Sequence, residues 1–168
     1  MARKAVGTPT LFFNMPVDQQ GGQIIAGLNK GRLSLFDDLG MIGRWVFTSS
    51  FDGRQKVNDW ELVGGLLPPT SAMPGQLWYE VGTNLIKQPG QPVDEGFIIY
   101  YKGEIEFKTA KGSSRSQLMI HKDSNYKTAP GSYGCLVGLE EEYVDMRDTF
   151  IQACGHLKRV RMGGVYSF

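Results

Sequence analysis

Cysteine and histidine are scarce in this chain, two of each in 168 residues. Cys135 and Cys154 are too few for a disulfide scaffold, although a single bridge between them stays open at this level. Together with His121 and His156 they form no close pair of the kind a structural zinc ion needs. Net charge is nearly absent as well. Eighteen Lys and Arg against 17 Asp and Glu leave +1 at pH 7, so no global field steers the chain toward nucleic acid or an anionic membrane. The longest run of one sign spans Glu140 to Glu142, too short for an acidic tail. No apolar stretch approaches the roughly 20 residues of a membrane span. The opening residues, MARKAVGTPTLFF, start basic but lack the continuous apolar region and small-residue cleavage site of a signal peptide. Synthesis without an export signal, in a reducing compartment, is therefore expected. Internal repeats and Pro/Ser-rich linkers are missing too, and the length suits one domain with a real core.

Glycine and aromatic residues are plentiful: 22 Gly and 8 Pro stand beside 9 Phe, 7 Tyr and 3 Trp. That balance points to a turn-rich, mainly β protein (β-rich α+β) rather than a helical bundle. Residues 1–30 show no clean period and read as an N-terminal arm, with Leu11, Phe12 and Phe13 available for docking on a neighbour. From Gly31 onward the β pattern sharpens, so residues 31–168 are expected to form the domain. "GRLSLFD" alternates, with Leu33 and Leu35 on one face; Asp37-Asp38-Leu39-Gly40 is a turn; "MIGRWVFTS" returns, which makes an antiparallel hairpin. "QLWYEV", "GFIIYYKGEIEF", "QLMIH" and "LKRVRMGGVYSF" are strand-like. The double proline of "LVGGLLPPT" ends central pairing, and "KTAKGSSRS" reads as a basic loop.

One helix is expected, over residues 139–154. Leu139, Tyr143, Met146 and Phe150 recur on one face, three glutamates occupy the first turn, and Gly155 supplies the stop. On it Cys154 reads as a small buried hydrophobe, and His156 just beyond as a partner of the helix C-terminus. Trp45, Trp60 and Trp78 read as packing residues, with a sugar or peptide cleft as the alternative.

The chemistry concentrates in "IHKDSNYKTAPGSYGCLVG", where His121 ends one apolar run and Cys135 opens another, fourteen residues on. A free thiol is only a few per cent thiolate at neutral pH. An adjacent imidazole raises that fraction and can shuttle the proton in acyl transfer. Pro130-Gly131 and Gly134 allow the reversal such a pair requires, and the backbone N–H groups of residues 133–135 are candidate oxyanion donors. Asp123 and Asn125 are candidates to orient His121. The plainer alternative is a buried cysteine at a strand start with His121 at a strand end, and spacing alone does not choose between them.

Residues 116–138, "SQLMIHKDSNYKTAPGSYGCLVG", resemble the signature of the L,D-transpeptidase catalytic domain. In that signature a histidine follows an apolar strand, and after a loop comes Ser/Thr-His-Gly-Cys with an apolar residue next. "KGRLSLFDDLGMIGRWVFTSS" is similar to the family's hairpin, and "GGLLPPTSAMPGQLWYEV" to its Gly-x-x-Pro-Pro/Gly segment. The likeness spans roughly residues 31–138. It differs at Tyr133, where the family has histidine, at Val137, where Arg or Asn is common, and in a shorter His-to-Cys loop. The resemblance implies a β-sandwich with one helix in the C-terminal region. It also implies Cys135 as nucleophile, His121 as general base, and Ser132, Tyr133 and Gly134 as the turn that places the thiol. No metal or organic cofactor is implied.

The expected function is thus a cysteine acyl enzyme acting on peptidoglycan stem peptides, of transpeptidase or carboxypeptidase type. Its substrate lies outside the cytoplasm, so delivery on a phage particle or by a secretion system is expected, as for a toxin-like effector. The alternative is a structural virion or tail-baseplate protein that uses the same fold without activity. Expected partners are the peptide substrate and, through the arm, a homo- or hetero-oligomer; nucleic acid and membrane spans are not.

Overall fold

The computed structural model describes residues 2–16, 18–20, 23–25, 31–49, 77–91, 93–101, 103–108, 114–116, 118–122 and 135–167. These residues are mainly β with one helix. In chain order they form β1 (Thr10–Pro16), β2 (Asp18–Gln20), β3 (Gln23–Ile25), β4 (Gly31–Asp37), β5 (Gly40–Ser49), β6 (Leu77–Gly82) and β7 (Ile86–Lys87). Then come β8 (Glu95–Tyr100), β9 (Glu106–Lys108), β10 (Ser114–Ser116), β11 (Met119–Lys122), β12 (Leu136–Gly138), α1 (Glu140–Cys154) and β13 (Arg159–Ser167).

The hairpin expected from "GRLSLFD…MIGRWVFTS" is present as β4–β5, with Asp37 opposite Gly40. Gly40 has φ +127°, a conformation L-residues with a Cβ rarely adopt, which suits glycine to this tight reversal. Asp37 secures the turn by accepting the Leu39 N–H at 2.9 Å. Leu33 and Leu35 are fully buried, as their alternation requires. The loop read over "KTAKGSSRS" needs one correction: its last three residues form β10, paired antiparallel with β9.

A larger correction concerns the expected arm. Residues 10–16 are not a detached arm but the central strand β1, parallel to β13 on one edge and antiparallel to β4 on the other. Leu11 and Phe13 are 0 % and 1 % exposed. Their period-2 pattern is masked in sequence because the alternate position, Phe12, is also apolar. The segment before β1 is fastened to the hairpin turn as well. Arg3 forms an ion pair with Asp37, the Val6 N–H donates to the same carboxylate at 2.8 Å, and the Ala5 N–H donates to the Ala153 carbonyl at 2.9 Å. The Arg3 hydrogen bond above all, with burial opposing and the Val6 and Leu39 N–H groups assisting, holds the Asp37 carboxyl far below the usual carboxylate range.

Nine strands form one sheet in the order β11-β12-β5-β4-β1-β13-β6-β8-β7, and β8 pairs additionally with β11. The Ile99 N–H donates to the Leu118 carbonyl on that seam at 2.8 Å, while β6 and β7 occupy the other edge of β8. The strand order therefore closes on itself. The layers of the implied sandwich are opposite walls of a single closed sheet, which leaves no long free edge among these strands.

One core cluster fills the interior, drawing Leu11, Phe13, Leu33, Leu35, Phe47, Phe97, Ile120, Leu136 and Met162 from the strands. α1 adds Tyr143, Met146, Phe150, Ala153 and Cys154 to the same cluster, with Phe150 edge-on to Phe97 at 5.0 Å between ring centroids. Carboxylates on the helix tie it to β5: Asp145 accepts the Trp45 indole N–H at 2.6 Å and Glu142 the Val46 N–H at 2.9 Å. Gly155 does end the helix, but with φ −61°, so it does not use a left-handed conformation. What it supplies is space, since a Cβ there would lie 2.5 Å from the Ile151 carbonyl oxygen.

Candidate active site

β11 and β12 lie side by side and parallel, with Ile120 opposite Leu136 and His121 opposite Val137. Ile120 and Leu136 face the core cluster, which sends His121 and Val137 to the other face of the sheet. Both are nevertheless buried, His121 to 5 % exposure. Cys135 immediately precedes β12. Its thiol is half-buried and free of any disulfide, and the Met119 N–H donates to Sγ at 3.3 Å. Met119 and His121 are two residues apart on one strand, about 7 Å along it. Cys135 thus lies beside Met119 of β11, one alternate position from His121.

Local backbone chemistry prepares both groups. The His121 Nδ1 lies 2.7 Å from the Lys122 carbonyl oxygen, which only accepts. Nδ1 therefore carries the proton, and in the neutral ring Nε2 is the basic nitrogen. The Cys135 Sγ in turn accepts the Met119 N–H.

Gly96 completes the setting from β8. A Cβ at this position would lie 2.6 Å from the Ile120 carbonyl oxygen, 2.9 Å from Met119 Cε and 3.2 Å from His121 Cβ. Only a residue without a side chain lets β8 close on β11 at the histidine. Beyond it, Glu95 pairs with Arg147 of α1 at 2.9 Å, and Arg147 also meets Asp148 at 2.9 Å. Burial, then the Glu95 charge, pushes the Tyr143 hydroxyl well above its ordinary pKa, which keeps it neutral. Lys122 reaches Glu140 at 3.7 Å, linking the end of β11 to the start of the helix.

Of the residues singled out in sequence, Ser132, Tyr133 and Gly134 lie outside the described residues, as do Asp123, Asn125 and Trp60. Cys154 is fully buried in the core, and burial pushes its thiol up to about 11. Neither Cys135 nor Cys154 is in a disulfide, so the bridge left open in sequence is not formed. His156 is exposed beyond the helix end. Trp45 is buried and packs against Gly43 and α1. Sequence reasoning missed the Met119 N–H and the Lys122 carbonyl, which are backbone groups that no residue type announces. Gly96 did leave a signal, a glycine opening an apolar strand, which often marks close approach of another backbone. Among the described residues no group of three or more His, Cys, Asp or Glu is placed to hold a metal ion, and no helix is long and apolar enough to cross a membrane. Comparison of the chain with protein-family models, with curated proteins and with solved structures gave no match.

Proposed function

We propose that this protein is a cysteine acyl enzyme acting on peptidoglycan stem peptides, of L,D-transpeptidase or L,D-carboxypeptidase type. The observation that carries the reading is that the half-buried Cys135 thiol lies beside Met119, two residues along β11 from a histidine whose Nδ1–H is fixed by the Lys122 carbonyl. His121 Nε2 accepts the thiol proton as Sγ attacks an amide carbonyl carbon. Collapse of the tetrahedral adduct breaks the C–N bond, the imidazolium returns its proton to the leaving amine, and a thioester remains. An acceptor amine or water then attacks the thioester, losing its proton to His121, and the expelled thiolate recovers that proton. The likeness of residues 116–138 to the family signature supplies the substrate class. Val137, apolar and buried opposite His121, leaves substrate polarity to be met elsewhere on this face.

The test is incubation of muropeptides bearing tetrapeptide or pentapeptide stems with wild type, Cys135→Ala and His121→Ala, read by mass spectrometry. Loss of a terminal D-residue, or its exchange for an added D-amino acid, is expected in wild type with an acyl adduct on Cys135. Cys135→Ala should give neither, and His121→Ala should be slower by roughly 100-fold or more. If folded, reduced wild type yields no product and no adduct, the enzyme reading fails and a structural role in a particle replaces it.

A further inference from the structure

On the outward face of the closed sheet, β1, β4 and β5 frame a groove of about 270 Å³. Strand register gives its layout. Phe12, Ser34 and Arg44 form one row across the three strands, and Asn14 and Arg32 begin the next. Phe36 and Met41, 37 % and 53 % exposed, close the other end. Two guanidiniums, a hydroxyl and an amide thus surround an apolar trough.

Among the described residues neither arginine of the groove forms an ion pair. Arg32 reaches the Gly31 carbonyl at 3.2 Å, and among the described residues Arg44 has no hydrogen bond or ion pair. By contrast Arg3, Arg147 and Arg159 pair with Asp37, Glu95 and Glu80. Guanidiniums left open beside an apolar trough match carboxylates attached to an apolar body.

By strand register the groove also shares a sheet face with His121. Trp45 and Phe47 point into the core, so Arg44 and Val46 point outward. Thr48, in the same phase of β5, is paired with Val137, which is paired with His121. Four residues along β5 and two strands across put Arg44 about 16 Å from His121 by backbone position. An extended peptide of about five residues spans that distance.

We propose that the groove binds carboxylates of an extended acidic stem peptide, with Arg32 and Arg44 as the specificity-determining cations; this rests on the function proposed above. Such stems are four or five residues long and carry free carboxylates.

The experiment uses the full chain carrying Cys135→Ala, which binds without turnover, and a fluorescein-labelled tetrapeptide stem in free-acid and fully amidated forms. Anisotropy titration is expected to give tighter binding of the acid. Arg32→Gln and Arg44→Gln should each weaken it about fivefold, the effect fading as salt rises. The double variant should bind acid and amide alike. Equal affinity for the two forms on the Cys135→Ala protein overturns the proposal. So does a double variant that still prefers the acid while keeping its circular dichroism spectrum. With Cys135 restored, an adduct forming at an undiminished rate in the double variant overturns the groove's role and leaves the enzyme reading standing. Carboxylate-dependent binding that needs both arginines, with no adduct on Cys135 in the wild type, supports the groove and removes the acyl-transfer reading alone.

Discussion

Gly96→Ala tests the packing that holds His121. The backbone itself would accept alanine, since Gly96 is not among the glycines with positive φ. The obstacle is the Ile120 carbonyl oxygen, 2.6 Å from the new Cβ, with Met119 Cε and His121 Cβ at 2.9 and 3.2 Å. Met119 is flexible and can turn away; a strand carbonyl cannot, so β8 and β11 must part by roughly half an ångström. Overpacking of this kind costs about 1–3 kcal/mol. The stiffer unfolded chain offsets about 0.4–1 kcal/mol of that. A net loss of about 1–2 kcal/mol in a chain of this size lowers Tm by roughly 2–8 °C. The site should respond beyond its share of the stability loss, because the displaced strand carries His121 and the Met119 N–H. Calorimetry gives the first quantity. Iodoacetamide labelling of Cys135 across pH, at a temperature where both proteins are folded, gives the second. An unchanged Tm together with an unchanged labelling profile refutes the argument that Gly96 sets the seam.

Deleting residues 1–16 should abolish cooperative folding, and Phe13→Ala alone should cost about 3–5 kcal/mol in urea unfolding; a truncated chain that folds would restore the arm reading. Alkylation at pH 7.5 followed by peptide mapping should label Cys135 first, because Cys154 is fully buried with its thiol pushed up to about 11, and His121→Ala should slow the Cys135 reaction. Asp37 has a folded pKa below its unfolded value of about 3.9, so its contribution is complete above that pH and is lost as pH falls through it toward the folded value. Wild type should therefore lose stability over Asp37→Asn between about pH 4.5 and 2, measured as the narrowing gap between their urea midpoints.

Local features were legible in sequence. The β4–β5 hairpin reads directly from Leu33, Leu35 and the Asp37–Gly40 turn, and α1 from the spacing of Tyr143, Met146 and Phe150. Partnerships were not. β1 looked like an arm because Phe12 blurs its alternation and because its parallel partner, β13, begins more than a hundred residues later. The closing β8–β11 seam hinges on Gly96, whose meaning appears only beside the Ile120 carbonyl. At the site, His121 and Cys135 were legible by type and order. The atoms that prepare them are main-chain groups, and Arg32 and Arg44 stand out only once register sets them on one face.

The position of β13 between β1 and β6 dictates an order of events during synthesis. A nascent chain that has not yet reached Arg159 already contains both edges awaiting that strand, β1 and β6. It cannot join them before β13 has been made. Bare edges of this kind recruit other chains, and pairing between the two ends of a sequence is intrinsically slow. Closure therefore waits until β13 has emerged. During that interval the edges of β1 and β6 are exposed to pairing with other chains.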